Sequence, residues 1–297
     1  MRLNLQLQTV SSCNATCVFC PYVTSWHRHH PGLMSDATFA RVLEELRPRA
    51  FKLVCPYLMN EPLNDPRLVE RIEALVTTLD YEELQLATNG SRLDGPRADA
   101  LIACLERRPH DLWISFHGTN AQNYQEIMGL DFATSLSRVC DFLVKADGRL
   151  KVTLRGAGSP RIRADALPTW FSKEEYHAFW QGHFARLGLQ RWPTIDYFSY
   201  HDRADNLQGL SFGFRRASLE GFSCVRTSEW LHIDYTGQLV LCCADYHREQ
   251  LLGDLSRHPL DELLVGPQRR AVVDQLEGRV PSPPDFICKR CHWGTAE

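Results

Sequence analysis

Residues 13 to 20 read CNATCVFC, three cysteines within eight positions, and a second group gathers toward the other end of the chain: Cys224, the adjacent Cys242 and Cys243, and CKRC at 288 to 291. Thiolates are soft ligands that select zinc, copper or iron–sulfur clusters. A closed zinc site pairs one CxxC with a second CxxC or with two histidines to reach four ligands. CNATCVFC supplies three thiolates on one tight loop and no obvious fourth. That count suits three irons of a 4Fe–4S cube and leaves the fourth iron open to react. The isolated Cys55, Cys104 and Cys140 sit in apolar settings (KLVCPYL, LIACLER, RVCDFLV) and read as small buried hydrophobes.

Such ligands need a frame. Between residues 1 and 203, period-2 apolar alternation and helical periodicity take turns. Strands are predicted at 3–8, 51–58, 83–88, 112–117, 150–155 and 194–200. Helical stretches lie between them: SDATFARVLEEL with Ser35 as N-cap, DPRLVERIEALVTTL, GPRADALIACLERR, FATSLSRVCDFLVKA and SKEEYHAFWQGHFARL. Six such alternations predict an α/β fold, a parallel barrel or part of one. In barrels of this kind the active site gathers at the carboxyl ends of the strands. The predicted exits carry CNATCVFC, MNEP, TNG, HG (His117, Gly118), RGAG from Arg155, and HDRADN at 201 to 206.

After residue 206 the pattern changes. EWLHIDYTGQLVLCCAD predicts a hairpin turning at Thr236 and Gly237, on whose strand Cys243 would point opposite to Cys242. PLDELLVG and PQRRAVVDQLEG predict two short helices, the second with Pro267 in its first turn. The division is thus residues 1–206 and a small appended unit, 207–297, too poor in core to stand without a metal.

With 297 residues the chain buries roughly three quarters of its unfolded surface, enough for a core without staples. Its 33 basic and 36 acidic residues leave a net charge of -3, and no run of one sign forms a phosphate-tracking stripe, so no nucleic-acid partner is expected. MRLNLQLQ lacks a signal-peptide core and no stretch approaches the apolar length of a membrane span, so a cytoplasmic protein without a membrane partner is expected. In that reducing compartment, clustered cysteines serve metals rather than disulfides.

CxxxCxxC, filled by Cys13, Cys17 and Cys20 after the first strand, resembles the signature of the radical S-adenosylmethionine (SAM) enzymes. The resemblance implies a partial (β/α)6 TIM-like barrel, a 4Fe–4S cluster on those cysteines, SAM on its open iron, and a reductant such as flavodoxin or ferredoxin. Phe19 matches the aromatic beside the adenine. Asn60, Glu61 and Pro62 resemble the GEP element, with Asn60 for its first glycine, which implies that Glu61 receives the methionine amino group. ATNG at 87–90, with Asn89, and ISFHG at 114–118 match the next exits, implying Ser115 for the ribose; Arg155 is implied for the methionine carboxylate.

Cys224, then twelve residues, Gly237, then four residues, Cys242, followed by Cys288 and Cys291, resembles the front half of the SPASM pattern. Its shorter form, called Twitch, is a small α+β domain, and the likeness implies one auxiliary 4Fe–4S cluster on these four cysteines. HDRADN resembles the RAGN segment that precedes such domains, with Asp205 in place of its glycine.

Several activities fit. The first is dehydrogenation of a carbinol in a sugar, aminocyclitol or aminoglycoside, with the auxiliary cluster taking an electron and Arg203 binding or deprotonating the hydroxyl; this resembles the 2-deoxy-scyllo-inosamine dehydrogenase of aminoglycoside assembly. The second is redox-neutral epimerisation of the neomycin C epimerase type, with Cys243 returning a hydrogen atom. A peptide-modifying enzyme is a third. A zinc-binding scaffold without activity is the fourth. His117 and His201, at strand exits, are expected to meet a polar substrate, whereas His27, His29 and His30 are expected to form a solvated basic loop, and Trp180, Trp192 and Trp230 to pack.

Overall fold

The computed structural model describes residues 2–158, 170–207 and 209–294. Six parallel strands carry the first two thirds of the chain: β1 (Leu3–Leu7), β2 (Ala50–Cys55), β3 (Asp80–Thr88), β4 (His110–Ser115), β5 (Val152–Gly158) and β6 (Thr194–Ser199). They lie side by side in sequence order and do not close.

Alternation decides which face each strand buries. Leu5 and Leu7 of β1 pack with Val42 and Leu46 of the helix Asp36–Leu46. Leu84, Leu86, Leu112 and Ile114 pack with Ile72, Leu101 and Ile102 of the helices Leu68–Thr78 and Gly95–Leu105. The residues between them, including Gln6, Gln85, Trp113 and Ser115, therefore face the concave side. Caps start the helices where the sequence places them: the Ser35 hydroxyl accepts from Thr38 N at 3.0 Å, and Ser172 with Glu175 forms a capping box on Lys173–Leu187. Trp180 and Tyr176 of that helix are fully buried. Trp192 departs from its expected packing: it is 50 % exposed, with its ring edge-on to Phe184.

β7 (Trp230–Ile233) pairs in parallel with the free side of β1, and β8 (Gln238–Val240) and β9 (Leu251–Asp254) follow antiparallel, so the residues after 206 extend the same sheet to nine strands. The hairpin turns where expected, with Gly237 at φ 85° and the Asp234 carboxylate accepting from Thr236 and Gln238 N–H. One difference follows. β8 ends at Val240, so Cys242 and Cys243 stand in a turn and not on a strand. Buried Asp245 causes it, accepting the N–H groups of Glu249 and Gln250 at 2.8 and 2.9 Å while its own N–H donates to Cys242 O. The helices Leu260–Val265 and Pro267–Leu276 cover this end. Among the described residues no helix is long and apolar enough to cross a membrane.

Candidate active site

The loop after β1 is clamped from two sides. Thr16 and Val18 donate their N–H groups to Met128 and Ile127 O, both at 2.9 Å, at the carboxyl end of the helix Ala121–Met128, while Ser12 O accepts from Glu61 N at 3.0 Å. Gly129 ends that helix at φ 66°, where a Cβ would collide with Thr16 Oγ1. Cys13, Cys17 and Cys20 thus come together, and burial first, then their mutual proximity and that of Glu61, push the Cys13 and Cys17 thiols well above the ordinary range. A metal reverses that preference, because a coordinated thiol is held deprotonated. Among the described residues no three His, Cys, Asp or Glu side chains converge as the ligands of one ion would. An all-sulfur set spread along one loop fits a cluster with an iron at each thiolate.

The neighbouring exits are tied to this loop. Glu61, 2 % exposed, accepts from Thr88 Oγ1 (2.6 Å), Leu63 N (3.0 Å) and Asn89 N (2.7 Å), so its carboxylate already joins the exits of β2 and β3. Burial raises its pKa while these bonds oppose the rise. Asn89 Nδ2 donates to Asn14 Oδ1 at 2.9 Å and Asn14 Nδ2 to Ser91 Oγ at 2.8 Å, which makes Asn89 a support of the cysteine loop. Phe19 is buried edge-on to His117, with ring centroids 4.9 Å apart, and neutral His117 is pushed down to about 3 by burial and by Arg155. Ser115 ends β4 in register with Arg155. Arg155 is itself engaged: Nε donates to Asp196 Oδ2 at 2.7 Å, and the guanidinium lies 4.0 Å from the Trp113 ring and 4.5 Å from that of Phe198.

A second cysteine set shares Arg203 as a neighbour with the first. Cys224, Cys242, Cys288 and Cys291 line one pocket. Arg216 closes its outer side, donating to the carbonyls of Cys288, Cys291 and Trp293 between the rings of Phe214 and Phe222. Cys243 lines that pocket too and also packs against the Tyr22 and Tyr246 cluster that Cys13 and Cys20 touch, and Arg226 Nη1 lies 3.6 Å from its Sγ. Arg203 lies between the sets, in the field of Tyr246, Cys243, Cys20 and Cys291. Arg203, Ala204 and Asp205 are all left-handed, at φ 52°, 59° and 64°, so Asp205 adopts the conformation a glycine takes freely.

Comparison with known proteins now fits this geometry. Residues 7–155, half of the chain, match the Radical SAM superfamily, and residues 224–292 match SPASM, an iron–sulfur cluster-binding domain. The chain belongs to the radical SAM superfamily. Its cofactors are SAM and a 4Fe–4S cluster, and the SPASM domain adds an auxiliary iron–sulfur cluster. No curated protein matches the sequence. In fold the chain is similar to BtrN in complex with AdoMet and 2-DOIA, at 14% identity and a TM-score of 0.61 over 98% of this chain and 93% of that one. It is also similar to Streptococcus suis SuiB bound to the precursor peptide SuiA, at 12% identity and 0.66 over 98% and 76%. A third likeness is to anSMEcpe with bound AdoMet, at 13% and 0.60 over 91% and 82%.

In this radical SAM chain two sequence expectations need correction. Arg203 was expected to bind or deprotonate a hydroxyl, and only deprotonation falls: burial, which favours the neutral form, is outweighed by Tyr246 and the surrounding thiols, its pKa rises, and a permanent cation cannot act as the base. His27 is not solvated: it is fully buried, with neither ring nitrogen hydrogen-bonded among the described residues, while His29 and His30 are exposed. A further arrangement escaped sequence reasoning, because its parts lie far apart in the chain. Buried Asp202 holds His292 Nδ1 at 3.1 Å, and His292 Nε2 lies 3.2 Å from His201 Nδ1.

Proposed function

We propose that the chain is a radical SAM oxidoreductase that dehydrogenates a carbinol of a small polyhydroxylated molecule of aminocyclitol or aminoglycoside type. In this reading Cys13, Cys17 and Cys20 hold the cluster that binds SAM, beside Phe19, Glu61, Asn89, Ser115 and Arg155. Cys224, Cys242, Cys288 and Cys291, in residues 207–297, hold the auxiliary cluster. When bound, these groups supply a deoxyadenosyl radical that takes a hydrogen atom and, at the closed cluster, an acceptor for one electron. The observation that carries the reading is the position of Arg203 between the two cysteine sets, within the field of Cys20 on one side and Cys291 on the other.

A ketone is poorer than its alcohol by two protons and two electrons, and loss of one hydrogen atom, one proton and one electron accounts for them. Arg203 donates to the carbinol oxygen and favours its anionic form. The proton goes to a neutral base. His201, at the exit of β6 and held down to about 4 by burial and by Arg203, has the His292 and Asp202 chain behind it. Likeness to BtrN, whose structure contains 2-DOIA, supports the substrate class.

Cys243 favours a second reading. Its thiol lines the pocket of the second set and packs against the same Tyr22 and Tyr246 cluster as Cys13 and Cys20, a place from which it could return a hydrogen atom to a substrate radical and invert a stereocentre. Incubation with reductant, SAM and aminocyclitol or aminoglycoside substrates in deuterated water tests both. A product two mass units lighter, unaffected by Cys243→Ala, is expected. An isomer carrying one solvent deuterium, lost in Cys243→Ala, would replace dehydrogenation by epimerisation.

A further inference from the structure

Parallel barrels fill their concave face with branched aliphatic side chains. Here that face of β1 carries amides. Gln8 is fully buried with neither Oε1 nor Nε2 bonded, Gln6 is 6 % exposed with Oε1 unbonded, and His232 on β7 is 1 % exposed with Nδ1 unbonded. Each buried polar group left without a partner costs about 1–3 kcal/mol. Three side chains in one place call for a partner that the described residues do not supply.

They are neighbours by register. Gln6 stands opposite His232 across the β1–β7 ladder and opposite Cys55 across the β1–β2 ladder. The row continues through Cys55 Sγ to Gln85 Oε1 at 3.8 Å, which also accepts from Tyr57 OH at 2.6 Å. Gln8 follows two residues on, toward Cys13. The row also reaches the gap between the cysteine sets: His232 Nε2–H donates to Arg226 O at 3.0 Å, and the Arg226 side chain contacts Cys243.

We propose that Gln6, Gln8 and His232 are the hydroxyl-reading floor of the substrate site, specific for an uncharged polyol face. This rests on the small polyhydroxylated substrate proposed above and names the residues that select it. A glutamine amide both donates and accepts, as a hydroxyl does. Burial holds His232 neutral, down to about 4, and its Nε2–H is committed to the carbonyl, so Nδ1 offers a lone pair to a hydroxyl donor. The row contains no carboxylate, so it has nothing to pair with an ammonium group.

The test uses the reconstituted full-length protein with SAM bound, and myo-inositol as probe, with binding measured by calorimetry and stability by thermal unfolding. Gln8→Leu should weaken myo-inositol about tenfold or more, with a melting temperature at or above that of the wild type, since an unbonded amide is replaced by an apolar group. Gln6→Met is the second variant, with the same expectation if Gln8→Leu fails to fold. No binding by the wild type, an affinity of either variant within about threefold of it, or a fall of about 5 °C or more in the melting temperature of both variants overturns the proposal; the last marks the amides as structural groups held by internal water. Failure of the dehydrogenation reading appears separately, as product of unchanged mass from a polyol that still binds in a Gln8-dependent way.

Discussion

His27 differs from His29 and His30 in nothing the sequence reveals, yet it is the one that the fold buries. Its ring lies edge-on to Trp26 and Tyr235, with centroids 5.4 and 6.2 Å away. Arg248, stacked 3.9 Å from the Trp26 ring and paired with Asp234 at 3.0 Å, adds positive charge nearby. Burial first, then Arg248 and His30, push His27 down to about 3. Between that value and the ordinary 6.5 the unfolded chain binds a proton that the folded one refuses, so stability falls with acidity by about 1.4 kcal/mol per pH unit. His27→Phe removes this share and should flatten the loss: from pH 6.5 to 5 the wild type should lose about 2 kcal/mol more than the variant in denaturant titrations. Equal losses would show that His27 carries a proton in the folded state.

At the scale of elements, the cysteine loop depends on one helix end. The Thr16 and Val18 bonds to Met128 and Ile127 O fix the loop only because Gly129 leaves room for Thr16. Gly129→Ala puts a Cβ on Thr16 Oγ1 and forces alanine to φ 66°, a conformation that costs about 1–2 kcal/mol. The loop should give way first, since it has no ladder of its own. Reconstituted Gly129→Ala should then carry about four irons per chain where the wild type carries about eight, and lose the spectral change on adding SAM; full iron content with normal SAM binding would show that the loop holds itself. Much of this was legible in the sequence. The alternation in LNLQLQ fixes Leu5 and Leu7 against the helices, and the strand exits deliver the cysteines where expected. What escaped depends on contacts remote in sequence: Asn14 bracing Asn89, Asp196 engaging Arg155, and Arg216 closing the second cysteine pocket. The turn after β8 escaped because Asp245, rather than the apolar pattern of LVLCC, decides where the strand ends.

At the scale of the whole molecule, β1 lies inside the sheet, flanked by β2 and β7. Asn4 to Leu7 pair one for one with Trp230 to Ile233, Asn4 N donates to Glu229 O at 2.8 Å, and Gln8 N donates to Ile233 O at 2.9 Å. Leu231, Ile233 and Leu239 share one core with Leu5, Leu7, Val42 and Leu46, so the apolar face of β7 is buried by the same helix that buries β1. Removing β7 would strip β1 of a ladder and uncover that core together. The proposed cluster unit, 207–297, is therefore not expected to open by itself at its first strand. Native-state hydrogen exchange checks this: the amides of Leu231 to Ile233 should be protected to the same free energy as those of Leu5 and Leu7, and should respond equally to denaturant. Exchange of β7 at a markedly lower free energy, with β1 still protected by β2, would mean that the two cysteine sets ride on units that separate. The gap spanned by Arg203 would then vary in width, and an electron transfer that depends on it could not be a property of a single rigid site.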